Sequence, residues 1–482
     1  MTDYYHRPRA VVVGAGHNGL TAAIVLARAG WEVDVYERSR NPGGAATSGE
    51  VFGTGTIVDF GAAAHPLGVA SPIFKELRLE EHGLRWAHSM YPLAHPLDNV
   101  PAVLLHRSLA DTAAGLGVDA SAWRRLHGHI VNHIDAHLEN FLAPLLRVPP
   151  HPLHMAKFGI PAFAPANLLG KVLFRDEPAR ALLTGNAIHA IIPPSQALTA
   201  AFGTLFAALG MSRGWPVAVG GTQAIIDALV SVAREYGVRI HLTCEVTHLH
   251  ELPVHDAAIL NLTPRQILNL PGVDLGRGVR SRFSRWRYGM GIFKVDYLLT
   301  QPVPWKDSRV CAATTVHVGG TASEIDHAEK QVQAGKLPDK PFIMVCQQQI
   351  ADPTRSQTGH VLWTYTHVPH GYEETHPDEV TSLIESQIER FAPGFREMIV
   401  DKHSTGPMQL EAWNPNLIGG DIAGGAMAGA SALLRPGLTT QPYRVGAKTF
   451  LASGATPPGA GVHGMPGAHA AYAAIFARRQ HG

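Results

Sequence analysis

The sequence predicts an α/β protein in which a domain built on a parallel sheet is interleaved with a second domain of mixed sheet and helices. A glycine-rich turn joins an apolar strand to a helix within residues 10–30, and a helix followed by strands returns at 223–261. A strand, a glycine-rich loop and an alanine-rich helix follow at 449–479. This alternation is typical of parallel sheets covered by helices, and the long intervening segments can form a second core.

The composition narrows the range of functions. Its 482 residues exceed what one simple core covers, and 45% are hydrophobic while 16% are charged. The 40 lysines and arginines balance 39 acidic residues, so we expect no nucleic-acid partner. Cys244, Cys311 and Cys346 are isolated, as expected in a reducing cytosol. The 28 histidines are scattered without a metal-spaced cluster such as HExxH, so we expect no metal site.

The N-terminal strand and helix follow the pattern of a Rossmann-like dinucleotide-binding unit. The apolar strand 10–13 leads into Gly14, Gly16 and Gly19, which form G-x-G-x-x-G, and the helix ends at Gly30. The first glycine permits a tight turn, the second permits close approach to a pyrophosphate, and the third permits close packing of helix on strand. Strand, turn, helix and cap therefore occur in the order that a dinucleotide site requires.

An acidic residue completes this unit. The second strand, 33–36, is followed by Glu37, which lies 23 positions after Gly14. A carboxylate there accepts hydrogen bonds from an adenosine ribose, and its charge disfavours the 2′-phosphate of NADP. The residues of this unit that we predict to bind the dinucleotide are Gly14, Gly16, Asn18, Gly19 and Glu37.

A second glycine pair favours FAD over NAD as the dinucleotide. Gly43 and Gly44 follow Glu37 closely and allow another stretch of backbone to approach the same ligand. Its amides can contact the pyrophosphate or the ribityl chain, which a short NAD site does not need. The residues of this segment that we predict to bind FAD are Arg38, Gly43, Gly44, Ala45 and Ala46.

The middle and the end of the chain supply further pieces of the nucleotide domain. A strand at 256–261 returns to the sheet, and Val246 and Leu260 are expected to flank the adenine. Near the C-terminus, Pro466 suits the first turn of a helix, whose start presents free N–H groups and a positive dipole end. The predicted FAD-binding domain comprises 1–79, 215–285 and 411–482, and the predicted substrate domain comprises 80–214 and 286–410.

Motifs along nearly the whole chain resemble the phytoene desaturase-like branch of a flavoprotein superfamily. This branch includes carotenoid isomerases and pyridine nucleotide-disulfide oxidoreductase domain 2 proteins, and the superfamily also contains amine oxidases and GDP-dissociation inhibitors. The matching motifs are V-V-G-A-G-H-N-G-L at 12–20, P-G-G-A-A at 42–46, D-F-G-A-A-A-H-P at 59–66, G-W-P-V-A-V-G-G at 214–221, E-R-F-A-P-G-F at 389–395, N-P-N-L-I-G-G-D at 414–421 and P-P-G-A-G-V-H-G-M-P-G at 457–467.

The resemblance implies an FAD-binding domain of the glutathione reductase type and an apolar substrate, such as a polyene or an isoprenoid. It also implies that the start of the C-terminal helix faces the flavin pyrimidine. The expected activity is desaturation or double-bond isomerisation, with hydride transfer to flavin N5. The residues near this helix that we predict to contact the flavin are Gly454, Ala455, Gly461, Val462 and His463.

Two other functions remain open at this point. An amine-oxidase-type enzyme using oxygen is less favoured, because the turn at 461–464 lacks the aromatic residue that such enzymes usually place there. A non-catalytic carrier like the GDP-dissociation inhibitors is disfavoured by the intact glycine set. The candidate catalytic residues are His463 and His65, which can exchange protons near neutral pH, and Lys294, which relatives often place near N5. Trp413 and Asn414 are candidate pocket residues.

The expected location is the cytoplasm, with peripheral membrane contact. The apolar stretch 10–29 is interrupted by glycines and polar residues, and it lacks the basic start of a secretory leader. An apolar substrate needs a route into the protein, and the proline-broken apolar run 144–174 could line it. The oligomeric state and the electron acceptor are left open.

Overall fold

Two sheets organise the molecule, and a computed structural model describes residues 7–53, 55–144, 146–429, 431 and 434–480. The strands within these residues are β1 Arg9–Val13, β2 Glu32–Tyr36, β3 Ser48–Glu50, β4 Ile57–Asp59, β5 Trp86–Ala87, β6 Tyr91–His95, β7 Val103–Leu105, β8 Val217–Ala218, β9 Arg239–His241, β10 Ala257–Leu260, β11 Gly291–Leu299, β12 Ala313–Val318, β13 Ile343–Cys346, β14 His360–Val368, β15 Ile399–Thr405 and β16 Thr449–Leu451.

Helices cover both sheets and join their strands. Those within the described residues are α1 His17–Arg28, α2 Pro66–Ala70, α3 Pro72–Glu76, α4 Leu109–Ala114, α5 Ala120–Asn132, α6 Ile134–Phe141, α7 Pro152–Ala162, α8 Ala166–Leu173, α9 Glu177–Ala187, α10 Thr199–Ser212, α11 Gln223–Glu235, α12 Pro264–Asn269, α13 Arg277–Ser284, α14 Ala322–Gln333, α15 Glu379–Phe391, α16 Pro407–Trp413 and α17 Met465–Arg479.

The first sheet is parallel and has the strand order β16-β10-β1-β2-β9. Its central strand β1 is apolar and buried, as expected of a parallel strand covered by helices on both faces. The strands come from three distant stretches of chain, so the sheet forms only when those stretches meet. Their carboxyl ends share one edge, where ligands of such sheets bind.

Helices α1 and α17 start side by side at this edge. A β-carbon added at Gly467 would lie 1.9 Å from the carbonyl oxygen of Asn18, so only glycine permits the two helix starts to approach so closely. A β-carbon at Gly19 would lie 2.0 Å from the carbonyl oxygen of Gly14. The positive ends of both helix dipoles therefore point toward the same region.

The second sheet is mixed and has the strand order β15-β11-β14-β13-β12-β6-β7. Strands β11, β14 and β13 pair in antiparallel register, which places Lys294 opposite Tyr365 and Asp296 opposite Trp363. Directly opposed residues share a face of a sheet, so these four side chains lie on one side. Helices α4, α5, α9 and α10 pack on β6 and β7 of this sheet.

A buried ion-pair network joins the segment between β13 and β14 to the two-stranded sheet of β3 and β4. The Arg355 guanidinium bonds to Asp59 at 3.0 Å and to Asp352 at 2.9 Å, with all three side chains shielded from solvent. Asp59 also accepts the backbone N–H of Thr222 at 2.8 Å. Burial alone would raise the pKa of Asp59, but Arg355 and the hydrogen bonds hold it below its usual value.

Candidate active site

A large cavity among the described residues is lined both by the carboxyl edge of the parallel sheet and by the mixed sheet and helices beside it. Its volume is about 1670 Å³. Pockets for one small molecule are usually about 300–1,000 Å³, so this cavity has room for a dinucleotide and a second molecule. Residues 62–64 line the cavity near the mixed sheet. Ala63 packs there in one cluster with Trp363 and Tyr365.

The part of the cavity beside the parallel sheet, here called the nucleotide half, is lined mainly by loops that follow its strands. The described residues that line it are Val13, Gly14, Gly16, His17, Asn18, Tyr36, Glu37, Arg38, Ser39, Arg40, Asn41, Gly43, Gly44, Ala45, Thr47, Ser48, Gln223, Cys244, Glu245, Val246, Thr247, Asn261, Leu262, Thr263, Gln266, Asn269, Leu270, Ser453, Gly454, Gly461, Val462 and His463.

The two glycine turns lie against each other in this half. The backbone N–H of Gly43 donates to the carbonyl of Ala15 at 3.0 Å, and Gly14 and Gly44 have positive φ angles of 96° and 57°. Side chains at these positions would be strained and would fill the space where a ligand backbone can lie. The N-terminus of α1 begins directly beside them, as in other sites that bind a pyrophosphate.

Glu37 fixes the first glycine turn. Its carboxylate accepts the backbone N–H of Ala15 at 2.8 Å and that of Ser39 at 2.9 Å. The side chain is buried but still lines the cavity. Glu37 therefore shapes the turn and also presents a negative charge to the ligand, which is a broader role than the ribose contact expected from the spacing.

Most of the predicted cofactor-binding residues line the cavity. Gly19, Ala46 and Ala455 do not; they are buried packing positions behind the lining. Leu260 also lies inside the sheet, and the cavity wall is formed by the residues that follow it in the chain. The predicted cofactor-binding residues that line the cavity are Gly14, Gly16, Asn18, Glu37, Arg38, Gly43, Gly44, Ala45, Val246, Gly454, Gly461, Val462 and His463.

Several buried polar atoms on the lining lack a hydrogen-bond partner within the described part of the chain. Beside the glycine turns they are His17 Nε2, Asn18 Oδ1 and Asn416 Oδ1. Buried polar groups are normally satisfied, so such a cluster indicates a polar ligand that completes them. Together with the glycine cradle and the two helix starts, these atoms fit the donor and acceptor groups of a bound flavin dinucleotide.

His463 is fixed by the loop that precedes α17. Its Nδ1 accepts the backbone N–H of Met465 at 3.2 Å, and it also makes a backbone hydrogen bond with Ala460. Burial lowers the pKa of His463 to about 3, so the ring is neutral near pH 7. These contacts favour a positioning role for His463 at the helix start over the exchange of protons.

His65 has a different hydrogen-bond pattern. The hydroxyl of Thr222 donates to the carbonyl of Ala62 at 2.6 Å, so it accepts a hydrogen from His65 Nε2 at 2.9 Å. His65 Nδ1 is then an unprotonated acceptor on the cavity wall. Burial lowers the pKa of His65 to about 4.

Lys294 does not line the cavity. It is buried in an ion pair with Asp296, and its Nζ lies 5.8 Å from the ring of Trp363. Trp363 and Tyr365 are part of the lining, whereas Lys294 is buried and is not. The geometry thus gives Lys294 no described contact with a bound substrate.

Trp413 and Asn414 do line the cavity, as the sequence suggested. Arg38 donates to the carbonyl of Trp413 at 2.9 Å and so attaches the end of α16 to the second glycine segment. Two residues of the site were not identified from the sequence. His17 was seen only as a break in an apolar run, and Arg435 binds the carbonyls of Ala423 and Gly454 from a distant loop.

The rest of the cavity, here called the substrate half, is apolar and aromatic. None of its described lining residues is Asp, Glu, Lys or Arg; the charged lining residues are all in the nucleotide half. The described lining residues of the substrate half include Phe141, Leu146, Met155, Phe158, Ile160, Phe163, His189, Ile191, Phe202, Leu205, Phe206, Trp215, Ile292, Thr315, Met344, Cys346, Trp363, Tyr365, Leu410, Ile422 and Met427.

One expectation about histidines requires correction. The chain does form a cluster in which ligand atoms of His129, His133 and His154 all lie within 4.8 Å of one another. The spacing of His129 and His133 by one helical turn was a sequence signal for it, but His154 is brought in only by the packing of α7.

The fold and this cavity define a flavin-dependent oxidoreductase, and comparisons with known proteins specify the family. Residues 19–416 match the model of the flavin containing amine oxidoreductases, and the chain belongs to this family. Its cofactor is FAD, and the protein is an FAD-dependent oxidoreductase. FAD fits the nucleotide half, which offers it a glycine cradle, the acidic Glu37 and polar atoms without other partners in the described residues.

Two relatives with known names share less than 30% of their residues with this chain. The chain is 24% identical to pyridine nucleotide-disulfide oxidoreductase domain-containing protein 2 of Rattus norvegicus, over 96% of this chain and 92% of that protein. It is 29% identical to a zeta-carotene-forming phytoene desaturase of Myxococcus xanthus, over 50% of this chain and 48% of that protein.

Solved structures share the fold. An oxidoreductase from Methanosarcina mazei superposes with a TM-score of 0.63 at 17% identity, covering 97% of this chain and 100% of that one. Cyclohexylamine oxidase from Brevibacterium oxydans superposes with a TM-score of 0.59 at 15% identity, covering 99% and 100%. The α/β fold with a parallel sheet and a mixed sheet is therefore confirmed.

Proposed function

We propose that the protein desaturates or isomerises an apolar polyene or isoprenoid bound in the substrate half. The observation behind this proposal is the absence of charged side chains among the described lining residues of that half, combined with its aromatic surface. Burial of apolar surface contributes about 25 cal/mol per Å², so a long hydrocarbon can bind there without any ionic anchor. The desaturase relative noted above is consistent with such a substrate.

FAD, when bound, supplies the acceptor for a hydride. The residues of this chain hold the substrate and exclude water. Trp363 and Tyr365 form an edge-to-face pair with ring centroids 5.3 Å apart, and this pair can support a planar polyene. Desaturation also releases a proton from the neighbouring carbon. We assign its acceptance to His65 Nδ1, which is unprotonated and has no partner within the described residues. Burial lowers the pKa of His65, so the protonated ring gives this proton up to solvent when the product leaves and returns to the neutral acceptor.

An amine substrate is the second candidate, because Trp363 and Tyr365 could also flank a neutral amine and the family contains amine oxidases. The substrate half nevertheless offers no carboxylate in its described lining for a cationic amine. The two functions predict different products. Desaturation or isomerisation changes the chromatographic profile of a polyene, whereas amine oxidation by oxygen releases peroxide.

The test is to incubate the FAD-loaded enzyme with detergent-dispersed phytoene, without oxygen, and to separate the products by chromatography. We expect dehydrogenated or isomerised polyene, and we expect no peroxide from cyclohexylamine or putrescine in air. The variant His65→Asn should slow product formation in the single turnover that bound FAD allows, while leaving FAD bound, and the surface variant His250→Ala serves as its control. Peroxide release from amines with an unchanged polyene would contradict the proposal.

We also propose that the mouth of the substrate half docks on a membrane surface. Helices α7 and α8 and the loop before them expose large apolar side chains, including Val148 at 89%, Leu153 at 78% and Ile160 at 84% exposure. Ile160 also lines the cavity, so the exposed patch continues into it. Exposed apolar patches of this kind mark interaction sites, and an apolar substrate stored in lipid would enter there directly.

The charges around this patch favour an anionic lipid surface. Residues 144–174 contain Arg147, Lys157 and Lys171 but no aspartate or glutamate. These three side chains are exposed, and each basic residue near an anionic membrane contributes about 1 kcal/mol of attraction. None of the helices in the described ranges is long and apolar enough to cross a bilayer, so the proposed contact is peripheral.

Vesicle co-sedimentation tests the membrane contact. Wild-type enzyme should sediment with vesicles of phosphatidylcholine and phosphatidylglycerol, and less with phosphatidylcholine alone. The double variant Leu153→Asp with Ile160→Asp should remain in the supernatant. Val254→Asp is the matched control, because Val254 is 93% exposed but far from this patch in sequence and outside the cavity lining. Equal sedimentation of wild type and the double variant would refute the proposal.

A further inference from the structure

Three histidines from separate elements meet near the surface of the helical region. His129 lies in the last turn of α5, His133 lies at the junction of α5 and α6, and His154 lies in the first turn of α7. His154 Nδ1 is 3.0 Å from His129 Nε2, and the ring centroid of His133 is 4.8 Å from that of His129 and 4.6 Å from that of His154. The cluster does not belong to the lining of the cavity.

The spacing of these nitrogens matches a metal site. Two Zn–N bonds of about 2.0–2.1 Å at a tetrahedral angle place their nitrogens about 3.3 Å apart. The observed 3.0 Å contact between His154 and His129 is close to that edge, and the ligand atoms of all three residues lie within 4.8 Å of one another. We propose that His129, His133 and His154 bind one divalent transition-metal ion, with zinc as the best fit and water in the fourth position.

The surroundings of the cluster are consistent with a bound cation. His137 is fully buried one helical turn after His133, and neither of its ring nitrogens has a partner within the described residues. Its centroid lies 5.5 Å from that of His129. Next to His154, the ring of His151 bonds to the Glu139 carboxylate at 2.8 Å, which brings a negative charge to the edge of the cluster.

Metal binding requires only a proton shift within a ring. The 3.0 Å contact between His154 Nδ1 and His129 Nε2 needs a hydrogen on one of these nitrogens. When the ion enters, that hydrogen moves through solvent to the other nitrogen of the same neutral ring. Both lone pairs then face the metal, the charge of the ligands stays zero, and no oxidation or reduction takes place.

The site would join two parts of the wall around the substrate half. Helix α7 carries His154 in its first turn and contributes Met155, Phe158 and Gly159 to the cavity lining. Helix α5, which carries His129, packs on α10. A metal bound by His129 and His154 would therefore fix the start of α7 relative to α5. This inference depends on the geometry of the cluster and not on the identity of the substrate.

The test is competition of the FAD-loaded enzyme with a chromophoric chelator for zinc chloride. We expect one zinc per chain and at least 10-fold weaker binding by His129→Ala and by His133→Ala. His133 is exposed, so its variant should keep the fold even if His129→Ala does not. His250→Ala is the matched control, since among the residues that the structure describes the ring of His250 contacts one other histidine, His248, at 4.7 Å between ring centroids.

Two further readouts separate a site from incidental binding. Cobalt in place of zinc should give the intense visible absorption of a tetrahedral ion in wild type and not in His133→Ala. Zinc should raise the melting temperature of wild type more than that of His133→Ala, because binding to the native state stabilises it. Equal zinc affinity in wild type and His133→Ala, or zinc binding lost equally in the His250→Ala control, would overturn the proposal.

Discussion

The two halves of the cavity are built in different ways. The nucleotide half is formed largely by backbone, with two glycine turns and two helix starts held at fixed positions by Glu37 and by glycine contacts. The substrate half is formed by side chains from helices and strands that are far apart in sequence. The nucleotide half tolerates few substitutions and recognises one class of ligand. In the substrate half, side chains can be replaced while the fold is kept.

The largest effect should come from adding a side chain where helix and turn touch. Gly19→Val would place carbon 2.0 Å from the Gly14 carbonyl, so the first glycine turn must move. We expect the variant to purify without FAD or to fail to fold, with a loss above about 4 kcal/mol. Gly278→Ala is the control, since a β-carbon there meets nothing within 4 Å. Full FAD content in Gly19→Val would show that the nucleotide half is not rigid.

Acid should weaken both halves together, because buried neutral histidines occur in each. Burial lowers the pKa of His17 and of His65 to about 4, and that of His189 to about 3. In the unfolded chain these histidines bind protons below about pH 6.5, whereas in the folded chain they stay neutral down to about pH 4. Unfolding therefore becomes more favourable as the pH falls from about 6.5 to about 4.

Each such histidine contributes about 3 kcal/mol of stability above pH 6.5, and this contribution is lost progressively toward pH 4. Because native proteins are stable by only about 5–15 kcal/mol, several histidines together should cause unfolding within that window. Flavin fluorescence and circular dichroism measured against pH should show FAD release and unfolding at the same midpoint. Retention of FAD and of the melting temperature down to pH 4 would contradict the assignment of neutral, buried rings.

A moderate effect is expected at Glu37. Glu37→Ala removes the acceptor for the N–H groups of Ala15 and Ser39. A hydrogen bond to a charged group contributes about 1.5–3 kcal/mol. Because these two bonds hold the turn and do not contact FAD directly, we expect FAD binding to lose the equivalent of about one of them, which is a fall in affinity of about 10–100-fold. Titration of apoprotein with FAD, followed by fluorescence quenching, measures this change. Polyene binding to the reloaded holoenzyme should be unchanged, and a parallel loss there would show that the halves are not independent.

The smallest effect should come from the substrate half. Phe202→Gln replaces a half-buried apolar lining residue of α10 with a polar one of similar length. We expect the KM for a polyene to rise about 5–10-fold, since the lost apolar burial is worth about 1–2 kcal/mol, with FAD content unchanged. Phe476→Gln, on the exposed face of α17 and outside the lining, should leave both quantities unchanged. A loss of FAD in Phe202→Gln would contradict the separation of the two halves.

Much of the nucleotide half could be predicted from the sequence, because its key residues are close together in the chain. Gly14, Glu37 and Gly43 lie within thirty residues of one another, and their turn chemistry is local, so their spacing predicts their place in the site. Gly19 and Ala46 were predicted as ligand contacts but are packing positions, because a motif does not say which of its residues face the ligand.

Contacts between distant segments could not be predicted. Arg355 reaches Asp59 across nearly 300 residues, and nothing near Arg355 in the sequence indicates that partner. Lys294 lies on a strand, as expected, but it is buried in an ion pair with Asp296 and does not line the cavity. His129 and His154 meet because α7 packs near α5, which no local pattern records.

The most direct test of the account is chemical identification of what the purified holoenzyme holds. Solvent extraction followed by mass spectrometry should yield one FAD per chain and, where a second molecule co-purifies, an uncharged hydrocarbon or isoprenoid. A cationic amine or a charged metabolite in that position, or folded protein that takes up no FAD when it is supplied in excess, would contradict the proposed division of the cavity.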